Sequence, residues 1–165
     1  MNTLTKTAFA SALALGAFTA TTPAIAGDEG IVVQSQAAME EWSQDVTRSL
    51  NRGLIQSERF SNTRPKSGIV QVRFTVGADG KAENVSLYRS SGHAPTDRVA
   101  TRAVRWIARL DDAPVQNLRD QTFQANIIFA PDAPEHEALA RKLEQMESAR
   151  MASSGAEESV VTLGG

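Results

Sequence analysis

Residues 68–91 read GIVQVRFTVGADGKAENVSLYRSS, from Gly68 to Ser91. Val70, Val72, Phe74 and Val76 alternate with Gln71, Arg73 and Thr75. Period-two alternation of that kind belongs to a strand with one buried face. Asp79-Gly80 supplies a turn, because glycine tolerates the positive φ that a short hairpin loop demands. A return strand follows with Val85 and Leu87 inward and Ser86 and Tyr88 outward. Ala82 falls out of phase with Val85, which predicts a bulge or a late strand start. This hairpin is the frame on which the flanking segments are read.

On its C-terminal side, Ser90-Ser91-Gly92-His93 reads as a loop, and Pro95 opens a helix at its first turn. At 100° per residue, Val99, Ala100, Ala103, Val104, Trp106, Ile107 and Leu110 fill one wide arc. Arg98, Arg102, Arg105 and Arg109 form a narrow stripe opposite, a candidate face for an acidic partner or anionic lipid heads, or simply a solvated face. Asp111-Asp112-Ala-Pro114 ends the helix. Gln121 to Phe129 alternates again, with Phe123, Ala125, Ile127 and Phe129 on one face and Thr122, Gln124, Asn126 and Ile128 on the other.

The second strand, the helix and the third strand make a right-handed crossover unit. Placing the first strand between the other two gives the order 2-1-3 and leaves the third strand as an edge.

On the N-terminal side, Met39, Trp42, Val46 and Leu50 recur at helical steps from Gln36, with Gly53 as the expected stop. Trp42 on such a stripe is a core residue rather than a ligand platform. Leu54 to Pro65 reads as an irregular connection. Beyond the third strand, Pro134 starts a last helix with Leu139, Leu143 and Met146 on a thin seam. Residues 152–165 have no period and read as a disordered tail.

The fold class expected is therefore α+β: a two-layer sandwich with a three-stranded mixed sheet under two helices. The domain spans residues 36–131, and a C-terminal helix follows over 132–151.

Residues 1–26 read as a cleavable signal peptide: Lys6, an apolar stretch from Ala8 to Phe18, and Ala24-Ile25-Ala26 as the cleavage signal. The apolar stretch falls short of the roughly 20 residues of a membrane span. Residues 27–35 are then a short leader, the mature chain has no membrane span, and the periplasm is the expected compartment. There is no cysteine, so stability rests on the core rather than on disulfides. Excess acidic side chains, 19 against 17 basic, argue against general nucleic-acid binding.

No catalytic constellation emerges. Ser91 and His93 lie two apart in a loop without a group to orient the imidazole. His136-Glu137 lacks the second histidine of a metalloprotease helix. With two histidines, metal ligands are few, and no glycine-rich loop cradles a phosphate. The reading is a binding protein with no catalytic residue, no metal and no cofactor.

The order of Gly68–Val76, Asp79-Gly80, Val85-Ser-Leu, Ser90-Ser91-Gly92, Asp97, Ala100, Ala103-Val104, Trp106 and Ala125–Phe129 resembles the C-terminal domain of the TonB family, over about Trp42 to Ala130. The resemblance implies a module of Gram-negative envelopes, linked to energy-dependent transport. Such a module recognises a short extended segment of outer-membrane TonB-dependent receptors, which adds as a strand beside the last strand of the domain.

Thr122, Gln124, Ala125, Asn126 and Ile128 are then the expected partner-binding edge. Family transducers carry a membrane anchor and a long proline-rich spacer; here a signal peptide and the short leader stand in their place. The Tyr-Pro segment usual before the first strand is missing, with Leu54 to Ser67 in its position. The alternative is a periplasmic assembly protein, a homodimer through the Leu139, Leu143, Met146 seam or through the edge strand.

Overall fold

The computed structural model describes residues 29–164; the signal-peptide reading of 1–26 lies outside them. The hairpin forms as β1 (Gly68–Val76) and β2 (Ala82–Arg89), paired antiparallel. Its turn closes through bonds from Gly77 N–H to the Lys81 carbonyl and from Gly80 N–H to the Gly77 carbonyl, with Gly80 at φ 73°. The expected bulge is there: Arg73 faces Ser86 while Thr75 faces Glu83, and Asn84 takes φ 51°. A second irregularity lies between the Gln71–Arg89 and Val72–Leu87 pairs, with Tyr88 as the extra residue. Leu87 was expected inward, yet it is 44% exposed, because β2 is an outer strand twisted by two bulges.

β3 (Phe123–Phe129) pairs antiparallel with the other side of β1, giving the expected central position of β1. The sheet does not end there. A fourth strand, β4 (Val161–Leu163), runs parallel to β3, and the order is β2-β1-β3-β4. The expected disordered tail is thus ordered through residue 164, as a short helix α4 (Gly155–Glu158) followed by β4.

One face of the sheet carries Val70, Val72, Phe74, Val76, Phe123, Ala125 and Ile127, all buried. It packs against α1 (Glu29–Arg59) and α2 (Ala94–Val104). Phe123 ties the layers together, stacked on Phe74 at 5.6 Å and tilted against Trp42 at 5.7 Å. Trp42 is a core residue, and its indole N–H donates to the Arg109 carbonyl.

α1 was expected to stop at Gly53 and runs on to Arg59. The glycine has a tertiary cause: a Cβ there would sit 2.8 Å from the Ala103 carbonyl oxygen of α2. Gly53 lets α1 pass close against the α2 backbone, which offsets its roughly 1 kcal/mol cost inside a helix.

α2 ends at Val104, not at Leu110. Side chains of α1 and the turn itself hold the following residues out of helix: Ala108 N–H donates to Ser49 Oγ, and Arg109 sits at φ 63° to offer its carbonyl to Trp42. Ile107 and Leu110 still reach the core, the latter from a 3-10 turn, Leu110–Asp112. Trp106 leaves the expected buried arc, 46% exposed and edge-to-face with Phe60.

The opposite face of the sheet was expected to meet solvent. Instead α3 (Ala133–Met151) covers it, making a third layer. Leu143 is buried, and Leu139 and Met146 are half-buried alongside Gly68 and Ile69. The seam read as a dimer surface is therefore engaged within the chain. No helix among the described residues is long and apolar enough to cross a membrane.

Candidate partner-binding edge

The expected edge residues lie on β3 or just before it, and the structure separates their roles. Val161 N–H donates to the Thr122 carbonyl at 3.1 Å. Neighbouring residues of a strand turn their backbone groups to opposite edges. Gln124 and Asn126 therefore aim their backbone groups at β4, while Phe123, Ala125 and Ile127 pair with β1. Gly164 continues the path: it lies at φ 75°, where a Cβ would come within 2.7 Å of the Asn126 carbonyl oxygen. Only a glycine passes so close there without strain.

The side chains on the face expected to be open are not free. Gln124 and Asn126 are buried beneath α3 in a polar network. Gln71 Nε2 and Gln124 Nε2 each donate to Asn126 Oδ1 at 3.0 Å and to Glu147 Oε1, at 2.7 and 2.9 Å. Arg89 donates to Gln71 Oε1, and Arg73 donates to Gln124 Oε1. Ala125 belongs to the core of the other face. Ile128 is half-buried where the edge opens into a pocket of about 200 Å³, between α1 residues Leu50 and Leu54, α3 residue His136 and Gly164. β4 stops short of this half of β3.

Charged groups hold the tail on the edge. Arg73 grips both oxygens of Glu157 with its two terminal nitrogens and lies with its guanidinium 3.5 Å from the Tyr88 ring centre. Arg150, itself buried, bonds Glu147 and the Glu157 carbonyl and lies 3.6 Å from the Glu157 carboxylate. The hydrogen bond from Arg73 holds the Glu157 carboxyl below its ordinary range, with Arg150 adding to the effect. Nothing in the alternation of β3 signalled this cover; the run Val160-Val161-Thr162-Leu163 before two glycines was its sole trace in the sequence.

The arginine stripe splits. Arg98, Arg102 and Arg105 line an open groove of about 490 Å³ with Leu87 and Thr101, and none of the three has an ion-pair partner among the described residues. Arg109 has left the stripe, drawn to Asp112 at 2.7 Å and Asp45 at 3.8 Å, because the helix ends before it.

The Ser-Ser-Gly loop has a structural task. Asp97 accepts from Ser90 Oγ, Ser91 N–H and Ser91 Oγ at 2.6–2.9 Å. Burial pushes the Asp97 carboxyl up, but these hydrogen bonds outweigh it and leave the group below its ordinary range. The Ser91 hydroxyl, bound to Asp97, is not aimed at the His93 ring. Among the described residues no cluster of three His, Cys, Asp or Glu side chains could hold a metal ion.

Residues 62–131 match the family of Gram-negative bacterial TonB protein C-terminal domains. Over that stretch the chain is similar to the TonB C-terminal family. The match begins just past α1 and ends just past β3, so it takes in the hairpin, α2 and β3. Over 108 residues the chain is 33% identical to the Tol-Pal system protein TolA of Pseudomonas aeruginosa. That similarity takes in 60% of this chain and 30% of the relative, so the chain spans well under half of that protein's length. No solved structure matches the chain.

Proposed function

We propose that this protein is a periplasmic interaction module that docks an extended segment of outer-membrane TonB-dependent receptors beside β3 by strand addition. The observation that carries this reading is the parallel pairing of β3 with Val161–Leu163: the outer edge of β3 takes an added strand. The match of residues 62–131 to the TonB C-terminal family supports the same edge and the envelope setting. Main-chain groups of Thr122, Gln124 and Asn126 do the pairing, while the pocket beside Ile128 selects side chains. The partner pays for ordering on binding, so affinity follows how well its segment fits, not the area covered.

The test is a titration of isotope-labelled protein with synthetic peptides from the periplasmic ends of such receptors. Amide signals of Gln124, Asn126 and Ile128 should shift in a saturable way. Shifts confined to the Arg98–Arg102–Arg105 groove, with β3 unmoved, would overturn the edge reading.

A further inference from the structure

We infer that residues 155–164 are a built-in occupant of the β3 edge, and that a partner strand engages β3 by displacing them. This rests on the strand-addition reading above and names how that site is regulated and what segment it takes.

Four separate features hold the tail in the place a partner needs. Val161 and Leu163 pair with Phe123 and Ala125 in parallel register. The Leu163 side chain is 1% exposed and joins the core cluster that includes Trp42 and Phe123, so the tail fills a socket rather than lying on a surface. Glu157 is clamped by Arg73 of β1 and Arg150 of α3. Gln121 Nε2 donates to the Ser159 carbonyl, fixing the chain just before the strand.

The occupant is nonetheless a short strand, with Thr162 exposed and its far end reaching only Asn126. Three residues of pairing on an outer strand belong to the low-stability end of a fold, which opens locally without global unfolding. A tethered strand competes at high effective concentration, so it lowers the apparent affinity of any rival by the fraction of time the edge is closed.

The socket also describes the rival. It is an extended segment running parallel to β3, with apolar side chains two residues apart to replace Val161 and Leu163. A glycine or other sharp turn is needed where the path crosses the Asn126 carbonyl. A carboxylate upstream would meet Arg73 and Arg150, which face the Glu157 site together with Glu147 and Tyr88. A segment longer than β4 gains the free half of the edge and the pocket beside Ile128.

The register yields a matched pair of variants. Val161 N–H faces β3 and Thr162 N–H faces away, so Val161→Pro breaks the cis strand and Thr162→Pro leaves its bonds intact. The probe is a labelled peptide of residues 155–165 added to the full chain and followed by fluorescence anisotropy, with circular dichroism as the folding control. Val161→Pro should bind the peptide at least about tenfold more tightly than the wild type and Thr162→Pro do. Equal affinity for all three, or no binding by a folded Val161→Pro, overturns the inference. If Val161→Pro is unfolded, Glu157→Gln, which loosens the clamp outside the strand, takes its place with the same two outcomes. A receptor peptide that fails on every variant, while the tail peptide binds Val161→Pro, removes the receptor reading and leaves the self-occupied edge standing.

Discussion

The Val161 N–H lies 3.1 Å from the Thr122 carbonyl oxygen, and this one bond assigns every backbone group along β3. The amides of Phe123, Ala125 and Ile127 are committed to β1 and exchange hydrogen only when the sheet opens. Those of Gln124 and Asn126 are covered by a three-residue strand and exchange by local opening. Measured by native-state hydrogen exchange, protection should alternate along β3, with the odd positions the slower. Ala125→Pro should therefore unfold the domain, since it removes a central ladder bond. Uniform protection from residue 123 to residue 127 would show that β4 is as permanent as β1 and would count against displacement.

Gly53 lies against the Ala103 backbone of α2 with no room for a Cβ. Alanine would gain roughly 1 kcal/mol of helix propensity. Its methyl carbon would stand 2.8 Å from a carbonyl oxygen, and a backbone atom cannot rotate away. Overpacking of this kind costs about 1–3 kcal/mol, so Gly53→Ala should be net destabilising and Gly53→Leu more so. Urea titrations decide it. A stabilised Gly53→Ala would mean that the two helices part freely and that the glycine has no packing role.

The hairpin and the crossover helix were legible from residues 68–129 because each rests on local periodicity, and the central place of β1 followed from the crossover connection. The extension of α1 past Gly53 was not, since the cause of that glycine lies 50 residues away at Ala103. The early end of α2 was missed for the same reason: Ser49 and Trp42 capture residues 108 and 109 from another helix. Strand polarity misled more deeply. Gln71, Gln124 and Asn126 alternate with apolar residues as solvent-facing side chains do, and a polar residue satisfied beneath α3 has the same pattern. At the edge itself, Val161–Leu163 is too short for a period to be read, so the residue that fills the socket, Leu163, went unseen.

That polar layer changes what a substitution on it does. Val72→Ala or Phe74→Ala should cost about 2–5 kcal/mol, the usual effect of emptying a core site. Read as an outward residue, Gln71 would be replaceable at under about 0.5 kcal/mol. In the structure it is 1% exposed and bonds Asn126, Glu147 and Arg89. Gln71→Ala should cost about 1–3 kcal/mol, because it strands buried partners. Ser86→Ala, on the exposed β2 strand, should stay within about 0.5 kcal/mol. Denaturant midpoints for the three classes separate the cases; a Gln71 variant grouped with Ser86→Ala would place α3 off the sheet in solution.

Acid should release the loop that precedes α2. Asp97 has its carboxyl held below the ordinary range by Ser90 and Ser91, against the opposing effect of burial. A carboxyl whose folded pKa lies below its unfolded one stabilises the fold above the unfolded value, and that contribution is lost as pH falls through the folded one. The window therefore opens near the ordinary aspartate pKa, about 3.9, and extends to lower pH. Asp97→Asn removes the titration while keeping the shape. It should lower stability at neutral pH, where the charged acceptor is worth most to three donors, and flatten the fall in stability below about pH 4. Glu157, also held low by Arg73, titrates in a neighbouring range, so the comparison is run with Glu157→Gln as a second background. Thermal melts at a series of pH values supply the measurement. If wild type and Asp97→Asn lose stability in parallel as the pH falls, Asp97 carries no share of the acid response, and its hydrogen bonds do no more than shape the loop.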